Sequence, residues 1–354
     1  MCLVIIHVGK ETVTIAANRD EYFKRPTSRA QMYQYPSSNI ADNPFRKSID
    51  TPDPVTPLQV YGARDEKCDD EGNPLRGSPF LTASGERWAV ITNATRQVVP
   101  IVTSSNSNIY LKSRGHIVSS FVCSNISPLE FIEKFDQECL SRDFDGFNLI
   151  FGIGLDAYAI SNRKPNSNFN VSPIRVNGSS NDDNNLTNRF KNTFVKKLSV
   201  GRYYGVSNSF LDAPEPRIDR GKASMKGIIE TLIECSKTEK DNQCKKKFAE
   251  DLLQIMTDDT PCSPYSTFVP FPLNKVFINK IIYFNPDSNA YRYKTGMIAL
   301  DFILIFILSI YQSVVTNHML DFYGTRTSTV LIVEKRNGQI GSNYYEKDYV
   351  SFKE

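Results

Sequence analysis

The chain has 354 residues, 40% of them apolar and 23% charged, with a net charge of +3. That length accommodates one large domain or two small ones, and the composition is that of a globular protein with a real core. A charge this small excludes a surface built for nucleic acid or for anionic lipid. The seven cysteines, at 2, 68, 123, 139, 235, 244 and 262, are odd in number and show no paired spacing. No secretory leader is read at the start, because the first apolar run is short and has no basic flank or small-residue cleavage site. Reduced thiols in a cytoplasmic setting are therefore expected, and the sequons at Asn93, Asn125, Asn177 and Asn185 carry no meaning there. His7, His116 and His318 are the only histidines, none at metal-ligand spacing, so no metal site and no resident cofactor is expected.

In chain order, 3–8 and 12–17 read as two strands of a hairpin turning at Gly9-Lys10, followed by the polar cluster Asn18-Arg19-Asp20-Glu21. Cys2 directly precedes the first strand. If Met1 is removed, its thiol lies covalently close to a free α-amino group, a nucleophile carrying its own base. The second strand returns Arg19 and Asp20 toward the same end. A bland reading stands beside this one: Cys2 as a small apolar core residue, and the polar cluster as a strand-end turn with a surface ion pair.

Residues 27–80 are rich in Pro, Asp, Ser and Asn and read as loop with short strands. A strand at 88–92 ends at Asn93, and 95–113 reads as polar loop. Helices are expected at 115–123 and 128–140, the second with Leu129, Phe131, Ile132, Phe135 and Leu140 along one side. Strands follow at 146–153 and 157–161, then an Asn- and Ser-rich insertion at 162–190. A short strand at 203–206 leads to Ser207-Asn208. Further helices are read at 223–235 and 245–256, and strands at 276–285, 327–333 and from 344 to 352. Strands early, helices in the middle and strands late predict an α+β domain spanning 1–354 rather than a βαβ array.

One stretch, 297–315, approaches membrane-spanning length. It reads as a membrane anchor, as a buried helix, or as translated intron. Gly296-Met297 can hold the splice consensus GTATG, Val315-Thr316-Asn317 the branch point TACTAAC, and Leu320-Asp321 a terminal AG. Excision would restore Asp in frame before Phe322. Residues 296–320 are thus an apolar insert of doubtful membership in the mature protein.

Six ordered motifs carry a resemblance. They are Met1-Cys2; Ala17-Asn18-Arg19-Asp20-Glu21-Tyr22 with Arg25-Pro26; Ala89-Val90-Ile91-Thr92-Asn93; Gly146-Phe147-Asn148-Leu149-Ile150; Tyr204-Gly205-Val206-Ser207-Asn208; and Tyr323-Gly324-Thr325-Arg326-Thr327. Together they resemble the NRDE family, also called the transport and Golgi organisation protein 2 family. The resemblance implies a part in Golgi organisation and protein secretion, with links to lipid homeostasis, mitochondria and haem trafficking. It extends to N-terminal nucleophile hydrolases of the penicillin acylase and bile salt hydrolase type, which implies an αββα sandwich. It further implies a catalytic set of Cys2, Arg19, Asp20, Asn93, Asn208 and Arg326, with Asn18 and Glu21 as substrate-binding positions. Those hydrolases carry Arg-Asn-x-Asp where this chain has Asn18-Arg19-Asp20-Glu21, so the roles of Asp20 and Asn18 do not transfer directly.

In that set the α-amine takes the thiol proton, the thiolate attacks an amide carbonyl, and Asn93 and Asn208 face the oxyanion. Asp20 holds the amine, and Arg326 orients the cysteine or binds an acidic group. The expected partner is a small-molecule amide. The alternative is a non-catalytic protein using the same cavity for a lipid-like or haem ligand, haem then being cargo. Neither reading involves nucleic acid, and membrane association would require 297–315 to be an anchor.

Overall fold

The computed structural model describes residues 2–22, 27–35, 58–63, 81–84, 86–95, 98–100, 113–138, 144–165, 189–235, 241–257, 323–336 and 338–348. Apart from Glu21, Tyr22, Tyr323 and Gly324, these belong to one compact unit. The expected strand at 276–285 and the apolar stretch 297–315 lie outside the described residues.

Two antiparallel sheets form the body. The first runs in the order β12 (Arg202–Val206), β1 (Leu3–Val8), β2 (Thr12–Tyr22), β13 (Tyr323–Arg336), β14 (Gln339–Asp348). The second runs β11 (Phe194–Lys197), β9 (Asp156–Ser161), β8 (Phe147–Ile153), β6 (Arg87–Asn93), β5 (Leu81–Ser84), β4 (Leu58–Gly62), β3 (Gln31–Tyr35). A small ribbon pairs β7 (Val98–Pro100) with β10 (Arg163–Pro165).

Side chains alternate across each strand, so a strand apolar at every position has two faces to bury. Odd and even residues separate cleanly here. Val4, Ile6 and Val8 of β1, Val13, Ile15 and Ala17 of β2, and Leu331 and Val333 of β13 pack in one core with Trp88, Val90, Ile150, Ala157 and Ala159 of the second sheet. That core lies between the two sheets. The other parity, Ile5, Ala16, Val330 and Ile332, packs on Met225 and Ile229 of α3 (Pro216–Cys235) and on Phe248 and Leu252 of α4 (Asp241–Ile255). On the far side, Ala89, Ile91, Leu149 and Phe151 pack on Ile117, Phe121, Phe131 and Phe135 of α1 (Gly115–Val122) and α2 (Pro128–Gln137). Four layers result: helices, sheet, sheet, helices. The class is α+β with antiparallel sheets, as the order of elements predicts.

Local chemistry explains the boundaries. Helix α2 begins in a capping box: Ser127 Oγ accepts the Glu130 N–H, Glu130 accepts the Ser127 N–H at 3.1 Å, and Pro128 occupies the first turn. Gly205 exists because α3 crosses β12 closely; a Cβ there would sit 2.3 Å from Ile218. Gly146 is similarly tight, with the Ala94 carbonyl 2.0 Å from where its Cβ would be.

Three differences from the sequence reading have clear causes. Strand β2 continues through Asn18–Glu21 instead of ending before them. β13 runs beside it, with Lys335 N–H donating to the Glu11 carbonyl and Ser328 Oγ to Asn18 Oδ1, so the polar end still has a ladder partner. The last strand starts at Gln339 rather than at 344, because the hairpin at Gly338 (φ +82°) fixes where it starts; 349–352 lie outside the described residues. Short strands β5 and β11 carry too little pattern to stand out in sequence.

Candidate functional site

The β1 register fixes what surrounds Cys2. Val4 pairs with Val206 and Leu3 pairs with Asn18. Continuing the second ladder by one residue sets Cys2 opposite Arg19, and continuing the first by two, just past the end of β12, brings it level with Asn208 on the other side. By alternation Cys2 shares the face of Val4, and it packs at the margin of the inter-sheet core. It is a free thiol, only partly covered.

Its electrostatics are mixed. Burial pushes the Cys2 thiol up, and the Asp20 carboxylate adds to that; the Asp20 backbone N–H and the Arg19 guanidinium work the other way. Cys2 is therefore a thiol at neutral pH, not a standing thiolate, and attack requires a base to take its proton. Arg19 is buried, at 7% exposure, and donates from a terminal nitrogen to Thr27 Oγ1 at 2.8 Å. Asp20 Oδ1 accepts the Thr325 hydroxyl at 2.7 Å.

Asn208 sits in a tightly held loop. Its carbonyl accepts the Thr95 N–H at 2.8 Å, linking it to the end of β6 two residues past Asn93. Ser207 Oγ lies beside Asn208 and accepts from Arg217, which also pairs with Glu215. Asp212, left-handed at φ 57°, takes the Gly205 N–H on its carboxylate at 2.9 Å and pairs with Lys222. The loop thus folds back on its own strand, a conformation that Asp tolerates better than most residues.

The structure brings Cys2, Arg19, Asp20 and Asn208 to one end of the first sheet, with the β6 terminus joined through Thr95. Asn93 closes β6, opposite Phe147, on the face of Ala89 and Ile91. Asn18 takes the other parity: its amide donates to the Met256 carbonyl at 2.7 Å and accepts from Ser328 at 2.6 Å, so it ties β2 to the end of α4. Glu21 follows in β2, partly buried. Arg326 lies within β13; its side chain falls outside the described residues.

Two residues that sequence reasoning passed over matter here. Asn148, buried in the otherwise apolar β8, donates to the Ser209 carbonyl at 2.7 Å and to Thr92 Oγ1 at 3.2 Å, tying the Asn208 loop to the second sheet. An Asn inside an apolar strand was the available signal. Glu346 of β14 is half-buried and had no motif to mark it. A small cleft opens beside this loop, lined by Asn148, Ile150, Ala159, Phe194, Phe210 and Leu211 among others. Among the described residues, no three of His, Cys, Asp or Glu converge as metal ligands.

The family model for Transport and Golgi organisation 2 matches residues 46–351. The chain belongs to that family. The match contains Asn93, Asn148, Asn208, Arg326 and Glu346, whereas Cys2, Arg19 and Asp20 precede it. No curated protein matches this family member. Among its described residues, no helix is long and apolar enough to cross a membrane.

Proposed function

We propose that this Transport and Golgi organisation 2 family member is a cysteine amidohydrolase built like an N-terminal nucleophile hydrolase, with Cys2 as nucleophile. The register that sets Cys2 between Arg19 and Asn208 carries this reading. The helix–sheet–sheet–helix layering supports it, as the αββα arrangement of those hydrolases has the same order. After removal of Met1, the α-amine accepts the thiol proton and the sulfur attacks the amide carbonyl. The amine then protonates the departing nitrogen, and water hydrolyses the thioester to restore the thiol. A thiol held neutral by burial suits this scheme, since the proton leaves only when the base is in place. Asn208 faces the developing oxyanion, with the backbone N–H of Asn93, whose side chain takes the other face of β6, as the second donor, and Arg326 binds an acidic substrate group or orients the cysteine. Asp20 positions the amine. On this reading the protein works in the cytoplasm, in keeping with a family named for transport and Golgi organisation.

A second reading draws on the cleft beside the Asn208 loop, whose lining is mainly apolar. There the protein carries a lipid-like or haem ligand without turnover, and Cys2 is a packing residue. Intact mass before and after a cysteine-reactive probe at neutral pH, with the labelled peptide mapped, separates the two. Loss of Met1 with preferential Cys2 labelling, and loss of amide turnover in Cys2→Ser with the fold retained, supports the hydrolase. Retained Met1 removes the base and sinks it, and ligand-dependent thermal stabilisation of Cys2→Ala then favours the carrier.

A further inference from the structure

Glu346 lies in β14 opposite Thr329 of β13. One carboxylate oxygen, Oε1, accepts the Ala30 backbone N–H at 2.9 Å; the other, Oε2, is buried with no hydrogen-bond partner. The segment 27–30 that ends on Glu346 begins on the candidate site, because Thr27 Oγ1 is the acceptor for the Arg19 guanidinium at 2.8 Å. Between them, the exposed Arg29 reaches the largely covered Asp348 of β14 at 3.6 Å, a long pairing of little weight. A four-residue segment is therefore anchored to β2 at one end and to β14 at the other.

A buried acceptor kept in place beside an unpaired oxygen is costly, and sheets usually exclude it. Nothing in the packing of β14 needs a carboxylate at this position: its neighbour Tyr344 fills the same face, resting edge-on against Tyr61 of β4 at 4.9 Å. What Glu346 does supply is a fixed point for Ala30, and through it for Thr27 and Arg19. We propose that Glu346 is a positioning residue for the Cys2 thiol, holding Arg19 in place through segment 27–30.

The consequence for Cys2 has a definite sign. Arg19 is one of the groups that favour the thiolate. With the Ala30 anchor gone, segment 27–30 loosens, Thr27 no longer fixes the guanidinium, and thiolate formation becomes harder. The charged and titratable groups facing Glu346 among the described residues are Asp348 of its own strand, Arg29 of the segment, Arg19 of β2 and Tyr344, with Tyr61 behind it. Burial raises the Glu346 carboxyl and Asp348 adds to this, while the Ala30 N–H, Arg29 and Arg19 oppose. On acidification the anchor therefore protonates above the ordinary carboxylate range, and the neutral acid still offers its carbonyl oxygen to the Ala30 N–H, so the brace outlasts the titration.

The inference rests on the Cys2 reading only for its target, and the test measures thiol reactivity rather than turnover. Cys2 alkylation by iodoacetamide is followed by peptide mapping across neutral and alkaline pH in wild type, Glu346→Ala, Glu346→Gln and Thr27→Val. Glu346→Ala and Thr27→Val are expected to slow labelling about threefold near neutrality and to move the midpoint upward. Glu346→Gln keeps a carbonyl oxygen for Ala30 and stays near wild type. A wild-type midpoint in Glu346→Ala, even with a lowered melting temperature, overturns the proposal, as does Glu346→Gln behaving like Glu346→Ala. Should Glu346→Ala fail to fold, an unmoved midpoint in Thr27→Val overturns it alone. Amide turnover, scored separately, distinguishes failure here from failure of the hydrolase reading: a shifted midpoint without turnover leaves the brace standing and removes only the catalysis.

Discussion

Two polar clusters sit against apolar cores in this protein, and they are built in opposite ways. Under the α1–α2 corner, Arg87 donates to the Phe121 and Ile126 carbonyls and to Ser124 Oγ at 3.0 Å, with its guanidinium 5.1 Å over the Phe121 ring. Every contact there ends on a group of the corner itself. At the Cys2 end of the first sheet, polar groups bridge separate elements, and buried atoms such as Ser209 Oγ and Glu346 Oε2 have no partner. A closed cluster holds a fold together; an open one keeps groups available, at a cost in stability. That difference, more than polarity itself, separates scaffold from candidate chemistry.

The comparison breaks if the closed cluster proves dispensable. Arg87→Ala should cost about 3 kcal/mol in urea unfolding, since it takes the charged donor from the Ile126 carbonyl and from Ser124 Oγ and removes the cation over the Phe121 ring. Arg87→Lys should recover only part, lacking the fork, and Cys2 labelling should be unchanged in both. Next in size, Gly205→Ala should cost about 1–3 kcal/mol by pushing α3 off β12; combining it with Ile218→Ala should be far less than additive, because the second change removes the clashing methyl. Asn148→Ala should cost about 1–2 kcal/mol and, unlike Arg87→Ala, should loosen the Asn208 loop, read as faster hydrogen exchange at Thr95, whose N–H ends on the Asn208 carbonyl. Equal exchange at Thr95 in both variants would erase the distinction between the clusters.

The smallest effect concerns His7, stacked on Tyr203 with ring centroids 4.4 Å apart and with Nδ1 buried and unpartnered. Burial lowers its pKa. The folded state prefers the neutral ring, so the associated stability is present above the ordinary histidine pKa and is lost as pH falls through that value toward the depressed one. Melting temperatures of wild type and His7→Phe should therefore diverge least near neutrality and most under mild acid. Parallel curves would show that His7 does not titrate with folding.

Much of the fold was legible because alternation is strong wherever a strand is buried. The central strands β1, β6, β8 and β9 are apolar on both faces and could be placed within a residue. The continuation of β2 through Asn18–Glu21 was not legible, since a strand with polar residues at its end looks like a turn until the neighbouring strand, more than 300 residues away, is known. Cys2, Arg19 and Asp20 stood out by proximity in sequence. Glu346 did not, because its connection to Arg19 passes through segment 27–30, which only folding brings to β14. Asn18 shows the converse: it belongs to a conspicuous motif, yet its amide is spent on joining β2 to α4.

Strand order also decides when the Cys2 end can exist. The second sheet draws all its strands from residues 31–197, so it pairs largely among neighbours in the chain. The first sheet places the N-terminal hairpin between β12, about 200 residues later, and β13, which begins at Tyr323. During synthesis the hairpin has no flanking strand until β12 appears, and β2 has an open edge until the C-terminal ribbon arrives. Contacts this distant in sequence close slowly. Truncations or frameshifts near the C-terminus should therefore leave the second sheet and its helices able to form while exposing the apolar edge of β2, giving a product prone to aggregation rather than one that is merely inactive.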